Sequence, residues 1–241
     1  MKEFILTGLS LASVLSTLAQ GTVIFNNRSG GTTHVYAPLA ALFGDAPIYG
    51  NASNDSPPGP ADYGNRALIG ANGTGGQWGA ATTLAVLLGA PGANAPESSL
   101  LPNAGSPSSF RTGTAAGAVA SSTATFNNIP KDALVATFEM AVWDNNSGLY
   151  PTWTQASQAW QNGLIGAARS QRFMLNQIGG DVNVPQSLFN TQNGASGTGG
   201  LQSFNIWLIP EPTGLTFAIT SGVLLALSRK QSRSASRPAT T

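Results

Sequence analysis

The sequence predicts a mainly β fold, an antiparallel β-sandwich with long loops and one short inserted helix. Three observations lead there. The chain of 241 residues is rich in turn formers, with 29 glycines and 15 prolines, and only 9 % of it is charged. Its apolar fraction of 41 % and five tryptophans are enough for a packed core, which sets it apart from disordered chains of similar polarity. Its apolar segments are short, alternate with period two, and are separated by Gly, Pro and Asn. There is no cysteine, so no disulfide supports that core.

Taken in order, Thr22 to Asn26 (TVIFN) reads as the first strand, being β-branched and aromatic between Gly21 and Asn-Asn. His34 to Ala37 and Pro47 to Tyr49 are shorter candidates. Thr82 to Leu88 is an apolar run ended by Gly-Ala-Pro-Gly, and Ala115 to Phe126 mixes small and β-prone residues. Leu134 to Trp143 has the clearest alternation. Leu134, Ala136, Phe138, Met140 and Val142 share one face, and Val135, Thr137, Glu139, Ala141 and Trp143 share the other, which reads as solvent-facing. A helix is predicted from about Thr152 to Asn162, with Pro151 near its start and Asn162-Gly163 at its end. Trp153, Ala156 and Trp160 lie on one face of it, with Leu164 continuing the stripe. Phe204 to Leu208 is the final strand. Asn51 to Gly64 and Gly89 to Ser109 read as long exposed loops.

The two ends differ from this middle. Lys2 opens an N-terminus whose residues Phe4 to Leu18 are apolar or small, and Thr17-Leu18-Ala19 supplies small residues at the −3 and −1 positions of a cleavage site. This is the pattern of a secretory signal peptide over residues 1–20, cut by signal peptidase after Ala19 or Gln20. At the other end, Thr213 to Ser228 carries no charge over sixteen residues. As a helix it would span about 24 Å at ~1.5 Å per residue, a short match to about 30 Å of hydrocarbon. Pro210 and Pro212 discourage helix before the run, and Arg229, Lys230 and Arg233 after it favour the cytoplasmic side of an inner membrane. The predicted topology places residues 21–207 outside and the basic tail inside.

Pro210-Glu211-Pro212, the short apolar run and the basic cluster, in that order, resemble the PEP-CTERM sorting signal of Gram-negative bacteria, here over residues 208–241. The resemblance implies recognition of Pro210, Glu211 and Pro212 by an exosortase, loss of the apolar tail, and delivery to the cell surface or extracellular matrix, often with glycosylation. Eleven residues follow Lys230, a longer tail than the family's usual basic end. The segments AQGTVIFNNR, FRTG at Phe110 to Gly113, ATFEMAVWD and LQSFNIWLIPEP also resemble a recurrent group of exported proteins from Verrucomicrobia-like bacteria. That resemblance implies secretion and β-structure, and no activity.

Charge and motif content narrow the function of the middle. Between Gly21 and Ile209 six basic residues face eight acidic ones, leaving that part near −2 and poorly suited to nucleic acid. The single histidine, His34, would have to serve a catalytic triad alone, and zinc sites of several histidines or cysteines are excluded. GANGTGG at Gly70 and GASGTGG at Gly194 lack the Gly-Lys-Ser/Thr ending of a phosphate loop and read as turns. Asp144-Asn145-Asn146-Ser147-Gly148 has calcium-like spacing, but its glycine is one position early and no bidentate Glu follows, so an Asx turn is the expectation. No cofactor, metal or catalytic set is expected, and the domain is read as non-enzymatic, with a structural or adhesive role. The alternative is a carbohydrate-binding module, with Trp78, Trp143, Trp153 and Trp160 as stacking rings and polysaccharide as partner. Behind it stands a glycoside hydrolase using Glu139. Asn27, Asn51, Asn54, Asn72 and Asn145 match the Asn-x-Ser/Thr pattern.

Overall fold

A computed structural model describes residues 20–39, 46–189 and 200–209. Among the described residues the fold is mainly β, with one short α-helix. At its centre β3 (Thr83–Pro91) and β7 (Val135–Asp144) pair antiparallel along nine residues, from Thr83 opposite Asp144 to Pro91 opposite Ala136. β4 (Leu101–Pro102) and β5 (Ser108–Ser109) extend the sheet beyond β3, while β8 (Ala167–Arg169) and β9 (Phe173–Asn176) extend it beyond β7. A second sheet has β1 (Gly21–Phe25) between β6 (Ser122–Phe126) and β10 (Gln186–Ser187). A small third sheet joins β2 (Val35–Tyr36) to β11 (Phe204–Asn205).

The sheets face each other across one apolar layer, which makes the body sandwich-like. Val23 and Phe25 of β1 and Ala124 and Phe126 of β6 meet Leu87, Phe138, Met140 and Leu175. The rings of Phe126 and Phe138 pack edge-on with centroids 5.3 Å apart, the arrangement favoured by the ring quadrupole. Gly89 makes that approach feasible. A Cβ there would lie 2.8 Å from Phe126 Cε1 and 2.9 Å from Phe138 Cε1.

Two expectations change. The fold is not wholly antiparallel, because β10 runs parallel to β1 and β11 parallel to β2. Alternation looks the same in both pairings, and the direction depends on how the intervening chain returns. β3 also runs past Leu88 to Pro91. Its partner β4 pairs only with Leu88 and Gly89, so on that side no ladder bond is lost at proline.

The outer face of the central sheet is covered as well. α1 (Trp153–Gln161) lies there, with Thr152 as N-cap accepting from the N–H of Gln155, and Asn162 as C-cap. Gly163 follows at φ 72°, the left-handed conformation that ends helices and suits glycine. Trp153, Ala156, Ala159 and Trp160 turn inward onto Val86, Leu88, Ala141 and Trp143. Leu164 does not continue the stripe and is exposed. Ala95 and Leu100, flanking a 3₁₀ turn at Glu97–Ser99, close the rest of this second layer. The loop after Gly89 is therefore partly structured. The Asn51 to Gly64 loop is also anchored, burying Ala52, Asp55 and Tyr63.

Candidate functional site

The outer face of the central sheet brings together most of the residues singled out by sequence. Trp143, Trp153 and Trp160 are 0 %, 9 % and 7 % exposed, packed ring against ring with centroids 5.7 and 6.3 Å apart. Trp207 closes the row, edge-on to Trp160 at 5.1 Å. Trp143 donates its Nε1–H to the carbonyl of Tyr150 at 2.8 Å, and Trp160 donates to that of Trp207 at 3.2 Å. The expected sugar platform at Trp143, Trp153 and Trp160 is thus a core aromatic layer. The rings face each other because α1 covers the strand face on which Trp143 stands. Trp78 lies elsewhere, half-buried at φ 63°, with its ring against Gly166, where a Cβ would come within 2.5 Å.

Glu139 shares that covered face and is not the solvent-facing acid its alternation suggests. Its side chain is 7 % exposed. Burial pushes its carboxyl up to about 7, with Glu97 adding to the rise and Arg169 and Arg172 opposing it. Arg169, on β8, contacts two carboxylates. Its Nη2 is ion-paired with Glu97 Oε1, and its Nη1 stands 3.9 Å from Glu139 Oε2. The second distance allows Coulomb attraction but is too long for a hydrogen bond, and Glu139 Oε2 has no hydrogen-bond partner. Burial also raises the Tyr49 phenol, with Glu139 adding to the rise. Nearby, Thr137 and Arg172 line a cleft of about 310 Å³ that Glu139 does not reach.

His34 is also buried. Its Nδ1 is 2.6 Å from Asp55 Oδ1, and Ser203 Oγ donates to Asp55 Oδ2 at 2.7 Å. Ser203 Oγ also accepts the backbone N–H of His34 at 2.7 Å. These are the residue types of a hydrolytic triad in a different connection. The hydroxyl donates to the carboxylate and not to the imidazole, so the group fastens three segments. Sequence reading missed Asp55 and Ser203, which carry no local signal.

No family model matches this chain, and no curated protein and no solved structure matches it.

The Asp144 loop is an Asx turn. Asp144 Oδ1 accepts the N–H of Asn146 at 2.8 Å, and Asn145 Oδ1 accepts that of Tyr150 at 2.9 Å. Among the described residues no group of three or more His, Asp or Glu is placed to hold a metal ion. Asn27 is fully buried, donating to the carbonyls of Thr33 and Gly117 and accepting from Val119 N–H, so its Asn-x-Ser match is structural. Gln20 is exposed and donates to Asn127 Oδ1 at 2.7 Å. Ala19 and the signal segment, Pro210, Glu211 and Pro212, the apolar run, and Arg229, Lys230 and Arg233 lie outside the described residues. So does the Gly194 glycine run apart from Gly200. Among the described residues no helix is long and apolar enough to cross a membrane.

Proposed function

We propose that this is an exported protein of the cell surface or extracellular matrix, with a structural or adhesive role. A signal peptide directs it across the inner membrane, and a C-terminal transmembrane helix holds it there transiently. An exosortase then acts at Pro210-Glu211-Pro212. One observation supports the reading: a signal-like segment ahead of Gly21, and Pro210-Glu211-Pro212 followed by an apolar run and a basic cluster, stand in that order on either side of the folded body. β1 begins at Gly21, just after the proposed cut.

The reading assigns no catalytic step to the domain, in keeping with the stapling connection of His34, Asp55 and Ser203. The carbohydrate-binding reading is weaker, because stacking needs an exposed ring face and Trp143, Trp153 and Trp160 present none, and the hydrolase reading is weaker because the Glu139 side chain is itself buried. The test is expression in a Gram-negative host with and without an exosortase, followed by fractionation and terminal sequencing. The expected product starts at Gln20 or Gly21 and reaches the cell exterior only with the exosortase present. Changing Pro210, Glu211 and Pro212 together to alanine should trap it in the inner membrane. A cytosolic product that retains Met1 would overturn the reading.

A further inference from the structure

Arg169 serves two acids of unequal exposure. Glu97, on the 3₁₀ turn, has a side chain 52 % exposed and holds the closer ion pair. Glu139, beneath it, has the unpartnered oxygen 3.9 Å from the same guanidinium. The groups facing Glu139 come from every neighbouring element: Arg169 on β8, Glu97 on the turn, Arg172 ahead of β9, and Tyr49. Arg172 is committed elsewhere, donating Nη1–H to the carbonyl of Ala95 at 2.8 Å. Arg169 is therefore the cation positioned to answer a change in Glu139.

The turn that Glu97 belongs to lies between Ala95 and Leu100, which are buried in the same apolar cluster as the tryptophans, and its two ends are fastened differently from its middle. Ala95 N–H donates to Thr137 Oγ1 at 3.0 Å, and beyond Leu100 the chain joins the sheet as β4. Between them the turn holds its own bonds, Ser99 N–H and Oγ–H to Pro96 O and Leu100 N–H to Glu97 O, together with the Glu97–Arg169 ion pair. While Glu139 holds its proton, the charge of Arg169 is available to Glu97. Once Glu139 is ionised, a bare carboxylate lies beside Nη1 away from water. Attraction there is several-fold stronger than at an exposed partner.

We propose that the Glu97–Ser99 turn is a pH-operated flap over the tryptophan layer, latched by Glu97–Arg169 and released when Glu139 ionises and draws the guanidinium inward. The flap stands independently of the export reading, since it uses only contacts within the folded body. Its pH range follows from the raised Glu139 carboxyl and is centred near neutrality.

Hydrogen exchange on the purified full chain tests this, with rates corrected for base catalysis. Protection of the Ser99 and Leu100 amides should fall about tenfold between about pH 5.5 and about pH 8.5, relative to the Met140 and Val142 amides of the core. Glu139→Gln should keep the turn protected at both pH values. Glu97→Gln, a change at a half-exposed side chain that leaves the core untouched, should leave it unprotected at both. Protection of the wild type that does not vary with pH would overturn the flap. So would a pH dependence that survives Glu97→Gln, and this second result decides the matter even if Glu139→Gln fails to fold.

Discussion

The imidazole Nδ1 of His34 lies 2.6 Å from Oδ1 of Asp55, inside the body, with Ser203 on the carboxylate's other oxygen. Asp55 also accepts the N–H of Ala52 at 2.5 Å, so one carboxylate joins the chain ahead of β2, the loop after Gly50 and the start of β11. Removing it leaves a buried imidazole, a hydroxyl and an amide without their acceptor. Asp55→Ala should therefore cost about 3–5 kcal/mol of unfolding free energy. Ser203→Ala, which removes one of these bonds, should cost about 1–2 kcal/mol. Urea denaturation followed by circular dichroism reads both, and an Asp55→Ala loss below about 1 kcal/mol would contradict the staple.

Glu139 sets a dependence of stability on pH. Its carboxyl is raised from the ordinary 4.5 to about 7 in the fold, chiefly by burial. Between those values the folded chain keeps a proton that the unfolded chain has released, so stability falls as pH rises through this window and levels off above it. The loss is on the order of 3 kcal/mol. Burial raises Asp144 too, in the same sense, whereas backbone N–H groups lower Asp132 and act oppositely at acid pH. Glu139→Gln should match the wild type near pH 4.5 and exceed it above pH 7. Urea midpoints that are equal at both ends would refute the assignment.

Trp143 tests the aromatic layer. Its ring is wholly buried between the sheet and α1, and its N–H is satisfied by Tyr150. Trp143→Ala should cost about 3–5 kcal/mol by opening a cavity and leaving the Tyr150 carbonyl unpaired. If the ring instead were a sugar platform, the variant would lose polysaccharide binding while keeping its melting temperature. Thermal unfolding and a polysaccharide pull-down on the same sample separate the two outcomes.

Gly89 tests the packing between the sheets. A methyl group there would press on Phe126, Phe138 and Ile129, at 2.8, 2.9 and 3.0 Å. Gly89→Ala should destabilise by about 1–3 kcal/mol. An unchanged melting temperature would mean the two rings can shift without cost, contrary to an interlocked core.

Much of the local structure is legible in residue order. Thr152 and Asn162-Gly163 bracket α1, and the alternation from Ala136 to Val142 marks β7 and its core face, because capping bonds, glycine's left-handed backbone and the strand pleat act between chain neighbours. The apolar and basic character of the two ends is likewise a property of consecutive residues. The environment of Glu139 is of another kind. Alternation assigns it a face, but that face is covered by α1 and by the 95–100 segment, which are remote in sequence. The Asp55–Ser203 bond spans 148 residues, and the parallel directions of β10 and β11 depend on how long excursions return. No neighbouring residue signals any of these, because burial and pairing at such range are chosen by the packing of the whole body and not by the preferences of one segment.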